Sequence, residues 1–166
     1  MRRCISTLVL VVVAAAGCRP APARAEVSVF FTRTEDTAFT VAAARRTVQG
    51  GDTSARLRAA LESLLAGPTD AERGEGLGTA IPVGTRLRAV RVEDGVVWAD
   101  FSREIDSGGG SANMLGRFWQ IVYTATQFPD APRARILIEG VARNTLGGEG
   151  VIIERPVPRP DTPPRF

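Results

Sequence analysis

The sequence predicts an α+β fold: a small mixed, mostly antiparallel sheet with two main helices packed on it. Three observations carry this expectation. Leu87 to Glu93 and Val96 to Ser102 alternate apolar and polar residues around Asp94-Gly95, the residue pair favoured in type I′ hairpin turns. Leu57, Ala60, Leu61, Leu64 and Leu65 recur at the spacing of one helical stripe. Strand-like and helix-like segments are mixed along the chain, and an antiparallel hairpin among them favours helices segregated to one face of a sheet.

The chain opens with Arg2 and Arg3, a short positive start, followed by an apolar stretch from Ile5 to Ala16. That stretch falls short of the roughly 20 residues that cross a bilayer as a helix and suits the core of a signal peptide. It runs into Ala15-Ala16-Gly17-Cys18. This is similar to a bacterial lipobox, where cleavage precedes a cysteine that then receives lipid; Ala15 stands where that motif usually has Leu. Residues 1–17 therefore read as a lipoprotein-type signal, Cys18 as the lipidation site and residues 18–26 as a tether. Cleavage after Ala23-Arg24-Ala25, giving a secreted soluble protein, is the alternative. The expected location is the extracytoplasmic face of a membrane.

The next segments follow in order. Glu26 to Thr32 is β-rich, with Val27, Val29 and Phe31 alternating, and reads as the first strand; Phe39 to Val48 is a weaker second. Gly50-Gly51 breaks the chain, and Asp52 or Thr53 caps a helix running to about Leu65 that Gly67-Pro68 stops. Residues 69–84 form a long polar connection, the kind that often has a job. In the hairpin, a two-residue turn sets Val92 opposite Val97, Val90 opposite Ala99 and, on the other face, Arg91 opposite Trp98.

Ser107 to Ser111 is a glycine-rich break, with Ser111 placed to cap a second helix from Ala112 to Thr126. Leu115, Phe118, Ile121, Val122 and Ala125 form its apolar stripe. Arg133 to Glu139 is a further strand, with Ala134, Ile136 and Ile138 on one face and Arg133, Arg135 and Leu137 on the other. Val151-Ile152-Ile153 reads as a short last strand. The folded domain is thus expected over residues 27–155, with a proline-rich extended tail over 156–166.

Composition narrows the chemistry. The 166 residues suit one domain. The formal charge of +3 includes Arg2 and Arg3 of the signal, so the remainder is nearly neutral, with arginines scattered rather than clustered. A nucleic-acid partner is not expected from that distribution. Every basic residue is Arg; there is no Lys and no His. The usual general base, the commonest metal ligand and the Schiff-base or phosphate-binding lysine are therefore all missing. Neither a cofactor nor a metal is expected. With Cys4 in the signal and Cys18 lipidated, the domain relies on packing rather than a disulfide.

Four stretches form an ordered pattern: Leu64 to Thr69, Gly76 to Pro82 with Gly84-Thr85 after it, Val92 to Ser102, and Ile121 to Pro129 leading to Ile136 to Gly140. In order and spacing they resemble the GerMN domain, named after a spore-germination and sporulation protein, over roughly residues 27–155. The resemblance implies a small α/β module on the outer side of a bacterial membrane, often in a lipoprotein and sometimes tied to sporulation or germination. It brings no catalytic residues with it.

The function expected is non-enzymatic: an extracytoplasmic lipoprotein domain that binds or scaffolds an envelope protein assembly or the cell wall. Candidate contact residues are surface positions on connections and on the hairpin, namely Thr79, Ile81, Pro82, Arg91 and Trp98. The alternative is a carboxylate-dependent hydrolase acting on cell-wall glycans, with Asp100 and Glu104 or Glu149 facing one cleft. The Gly108 to Ser111 helix start offers a third site, for an anion.

Overall fold

The computed structural model describes residues 23–147 and 150–166. Its first unit is a long hairpin, β1 (Arg24–Glu35) and β2 (Ala38–Gln49), antiparallel from Arg24 opposite Gln49 to Glu35 opposite Ala38. The second strand is thus as long as the first, although Ala42-Ala43-Ala44 has little β-propensity. Pairing along all of β1 supplies what local preference does not. β1 begins at Arg24, two residues before the strand start expected at Glu26.

α1 (Thr53–Ala66) follows, with the Asp52 carboxylate accepting from Ala55 N at 2.8 Å and Gly67 closing its end. The connection after it is not structureless. α2 (Asp70–Gly74) starts in a reciprocal capping box, in which Thr69 Oγ1 accepts from Glu72 N and Glu72 accepts from Thr69 N. β3 (Leu77–Gly78) then pairs antiparallel with β1 at Thr32 and Arg33.

β4 (Leu87–Glu93) and β5 (Val96–Phe101) form the expected hairpin in the expected register, including Arg91 opposite Trp98. A short 3-10 helix (Arg103–Asp106) leads to α3 (Ser111–Ala125). Ser111 is the first helical residue rather than the cap; Gly110 holds the cap position with no side-chain bond. β6 (Arg133–Ile138) lies parallel to β5, and β7 (Val141–Ala142) folds back on it. β8 (Thr145–Leu146) and β9 (Val151–Ile152) make a small separate pair.

The proline-rich tail is extended, as expected, but laid along the domain rather than apart from it. β10 (Val157–Pro158) pairs with β6, Tyr123 Oη donates to Pro160 O at 2.8 Å, and Phe166 and Phe39 exchange backbone bonds of 2.9 Å. Proline lacks an N–H, so it suits an edge position of this kind.

The result is two main sheets, β2-β1-β3 and β10-β6-β5-β4, with helices between and beside them. Val97, Ala99 and Phe101 of β5 and Ala134, Ile136 and Ile138 of β6 turn their inner face to the core. Leu57 of α1 and Ile121, Val122 and Ala125 of α3 pack there too. α3 and the residues just after it also serve β1, whose edge runs past the short β3: Thr124 Oγ1 accepts from Phe30 N and Gln127 Oε1 from Ser28 N. These side chains replace a missing strand partner, so the edge is not left unpaired.

Candidate functional site

The Thr79 to Thr85 loop is held from beneath by α3. Gln120 accepts from Ala80 N at 2.8 Å and donates to Thr79 Oγ1, and Arg117 Nε donates to Ala80 O. Thr79 is exposed, but Ile81 is only 7% exposed and sits in the core cluster, so the expectation that it faces outward is corrected. Pro82 is half-buried; its carbonyl accepts from Thr85 N and Thr85 Oγ1 across a tight turn. Gly84, at φ +87°, takes the left-handed position that such a turn requires. Val83, at the tip, is fully exposed, and no local sequence signal distinguishes it from buried Ile81 two residues before.

The second region is the face of the β4-β5-β6 sheet opposite the helices. Arg91, Trp98 and Arg135 form one row across three strands, because Arg91 pairs with Trp98 and Trp98 with Arg135. The Arg91 guanidinium carbon stands 4.7 Å from the Trp98 ring centroid, a cation–π contact. Arg91 is exposed and paired only with exposed Glu93, at 3.3 Å. Trp98 is half-buried, and Arg135 is 5% exposed. Trp98 Nε1 and Arg135 Nη1 are buried donors with no acceptor among the described residues. Each such donor costs about 1–3 kcal/mol of stability. Burial lowers the pKa of Arg135, with Glu154 opposing that shift.

Arg117 is a useful contrast. It is 2% exposed, and burial likewise lowers its pKa against the pull of Asp106. Its donors reach Ala80 O, Ile105 O and Gly108 O, joining the loop, the 3-10 helix and the glycine run. Arg117 is internally satisfied; Arg135 is not.

Of the carboxylates proposed for hydrolysis, Asp100 is engaged structurally, while Glu104 Oε2 is buried without a hydrogen-bond partner among the described residues. Asp100 Oδ1 accepts from Gly140 N at 2.8 Å and Oδ2 from Arg88 Nε at 3.3 Å, while Glu139 bonds Arg88 Nη1 and Arg103 N. Glu104, on the 3-10 helix, has a lowered pKa, first through its hydrogen bond with Ser102 and then through its own backbone N–H. A glycosidase acid needs the opposite shift to hold its proton. Cys18 and Glu149 lie outside the described residues. Among the described residues no group of three His, Cys, Asp or Glu is placed to hold a metal, and no helix is long and apolar enough to cross a membrane. The Gly108 to Ser111 start lends its Gly108 carbonyl to Arg117, which is a structural use of that loop.

Comparison with known proteins agrees with this architecture. A family model described as Germane, sporulation and spore germination, matches residues 28–144. The tandem GerMN domains of the sporulation protein GerM from Bacillus subtilis superpose with a TM-score of 0.66 at 22% identity, over 89% of this chain and 49% of that one. This chain thus spans about half of that tandem. The first GerMN domain of the same protein gives 0.61 at 19% identity, over 81% and 98% of the two chains. A candidate lipoprotein from Clostridium perfringens gives 0.58 at 20% identity, over 82% and 88%. No curated protein matches the chain.

Proposed function

This chain belongs to the Germane family, described by sporulation and spore germination, and its domain is of the GerMN type; from that premise we propose that it acts without catalysis, as an envelope docking domain held to a membrane by lipid on Cys18. The partner is an envelope protein, and the outer face of the β4-β5-β6 sheet receives it. The observation that supports this reading is the Arg91–Trp98 pair, an aromatic and a cation stacked on a sheet face away from the helices. Such pairs are frequent anchors of protein interfaces. The candidate lipoprotein among its structural relatives, and the run into Cys18, support the anchor.

A photoreactive residue in place of Arg91, expressed in the native host, tests the docking face. The expected result is a discrete protein adduct that Trp98→Ala removes and that the same residue at Glu75, exposed beside α2, does not give. Equal adducts at both positions, or none at Arg91, would sink it. Adducts that a muramidase dissolves would point to the wall instead. Intact mass of wild type and Cys18→Ala tests the anchor separately: a lipid-modified species beginning at Cys18 is expected, and an unmodified one beginning near Glu26 would overturn it.

A further inference from the structure

The two unpaired donors on this face say what the partner offers, an inference that rests on the docking reading above. Trp98 and Arg135 are register partners on adjacent parallel strands, so their side chains project to one face. An indole N–H and a guanidinium can only donate. The fold satisfies the equally buried Arg117 with three carbonyls; Arg33 and Arg56 each leave Nε unpaired as well, but Arg135 is the one whose free donor shares a sheet row with an unpaired indole. Glu154 is close enough to act on Arg135 electrostatically, yet no bond forms between them; its ion-pair partner is the exposed Arg155, at 3.6 Å. Arg91 completes the row from the outside, stacked on the Trp98 ring and ion-paired only with the exposed Glu93.

We propose that Trp98, Arg135 and Arg91 form a receptor for one carboxylate, presented by a Glu or Asp side chain of the partner protein. The carboxylate accepts from Trp98 Nε1 and Arg135 Nη1, and Arg91 swings from the Trp98 ring to close over it. A carboxylate fits better than a backbone carbonyl for two reasons. The row is donors only with a cation at each end, and hydrogen bonds to an ionised acceptor are stronger than those to a neutral carbonyl.

The chain has two tryptophans, Trp98 and Trp119, so two indole N–H resonances of the nitrogen-labelled full chain in detergent report the site and an internal control. Trp98→Phe assigns them. The probes are acetyl-Gly-Glu-Gly-amide, the same peptide with Gln, and inorganic phosphate. The expected result is a saturable shift of the Trp98 indole with the Glu peptide, at millimolar affinity and about tenfold tighter than with Gln. Arg91→Gln, on the surface, should weaken it about threefold, and Arg135→Gln about tenfold or more, with an unmoved Trp119 resonance certifying the fold. No shift up to about 50 mM, an equal response to Gln, or tighter binding of phosphate would each overturn the carboxylate receptor. A crosslink at Arg91 beside a silent indole would leave the docking reading standing and remove this one. A responsive indole without a crosslink would do the reverse.

Discussion

Replacing Glu72 by Gln should remove a pH-dependent clamp between α2 and the first hairpin. Glu72 accepts from Arg46 Nη1 at 2.5 Å and from Nη2 at 2.7 Å, a two-pronged contact, and its Oε2 also accepts from Thr69 N at 2.8 Å. Arg46 in turn stacks 5.6 Å from the Phe31 ring centroid. The Arg46 hydrogen bonds, followed by the Thr69 backbone bond, pull the Glu72 pKa from 4.5 to about 2 against a smaller opposing effect of burial. A shift of that size is worth at most about 3.4 kcal/mol at 1.36 kcal/mol per unit. The two side chains are 20% and 17% exposed, at the edge of the protein, so solvent screening reduces this to about 1–2 kcal/mol. Because the folded pKa is depressed, the stabilisation is complete above the unfolded value of 4.5 and disappears as pH falls toward about 2. Urea denaturation of wild type and Glu72→Gln at several pH values measures it. The difference between them should be about 1–2 kcal/mol at pH 7 and shrink by most of that near pH 2.5. A difference that stayed constant with pH, or was absent at pH 7, would refute the assignment of the clamp to ionised Glu72.

Three further outcomes follow from the packing. Arg117→Met strands the carbonyls of Ala80, Ile105 and Gly108, and should cost about 2–4 kcal/mol by denaturant titration with an unchanged slope. Gly95→Ala should cost about 1–2 kcal/mol in the same assay: Gly95 sits at φ +72°, while an added Cβ would meet Pro132, Arg133 and Asp130 at ordinary contact distances of 3.7 to 4.0 Å, so the penalty is conformational. Removing residues 156–166 takes away the Pro160 acceptor of Tyr123 and Arg159, which stacks 4.9 Å from Phe30 and 5.0 Å from Tyr123. Burial raises the Tyr123 pKa, so truncation should bring the titration of this single tyrosine, read by ultraviolet absorbance, down toward its ordinary value. An unchanged titration would mean that the tail does not cover Tyr123.

The β4-β5 register next to the turn was legible because what sets it is local: Asp94-Gly95 fixes the turn, and the turn fixes the pairing as far as Val90 opposite Ala99, while the shift between Leu87 and Ala89 at the far end left no local mark. The length of β2 was only partly legible. Ala42 to Arg46 has no strand preference of its own, and its conformation comes from twelve residues of β1 opposite. α2 left a mark that the glycines nearby obscured, since Thr69 and Glu72 stand at the spacing of a capping box. The docked tail left none. Its prolines argue for extension, and the partners that hold it, Tyr123 and Phe39, are distant in sequence.

The candidate site divides along the same line. Arg91 beside Trp98 could be foreseen from one hairpin. Arg135 could not join them until β6 was known to lie parallel to β5 in a register that sets Arg135 against Trp98, and that depends on the crossover through α3. Ile81 and Val83 show the same dependence at closer range. Both are apolar residues two apart in one loop, but the Gly84 turn carries Val83 out to the tip, while Thr79 and Ala80, gripped by Gln120 and Arg117, draw Ile81 into the core. Arg117 and Arg135 complete the case. They are the same residue type, both almost fully buried, and they differ only in whether distant backbone brings acceptors to them. A buried arginine furnished with carbonyls holds the fold together. One left with a free donor beside an equally unpaired indole is where a partner's acceptor would gain most, because filling it removes a cost the isolated domain already bears.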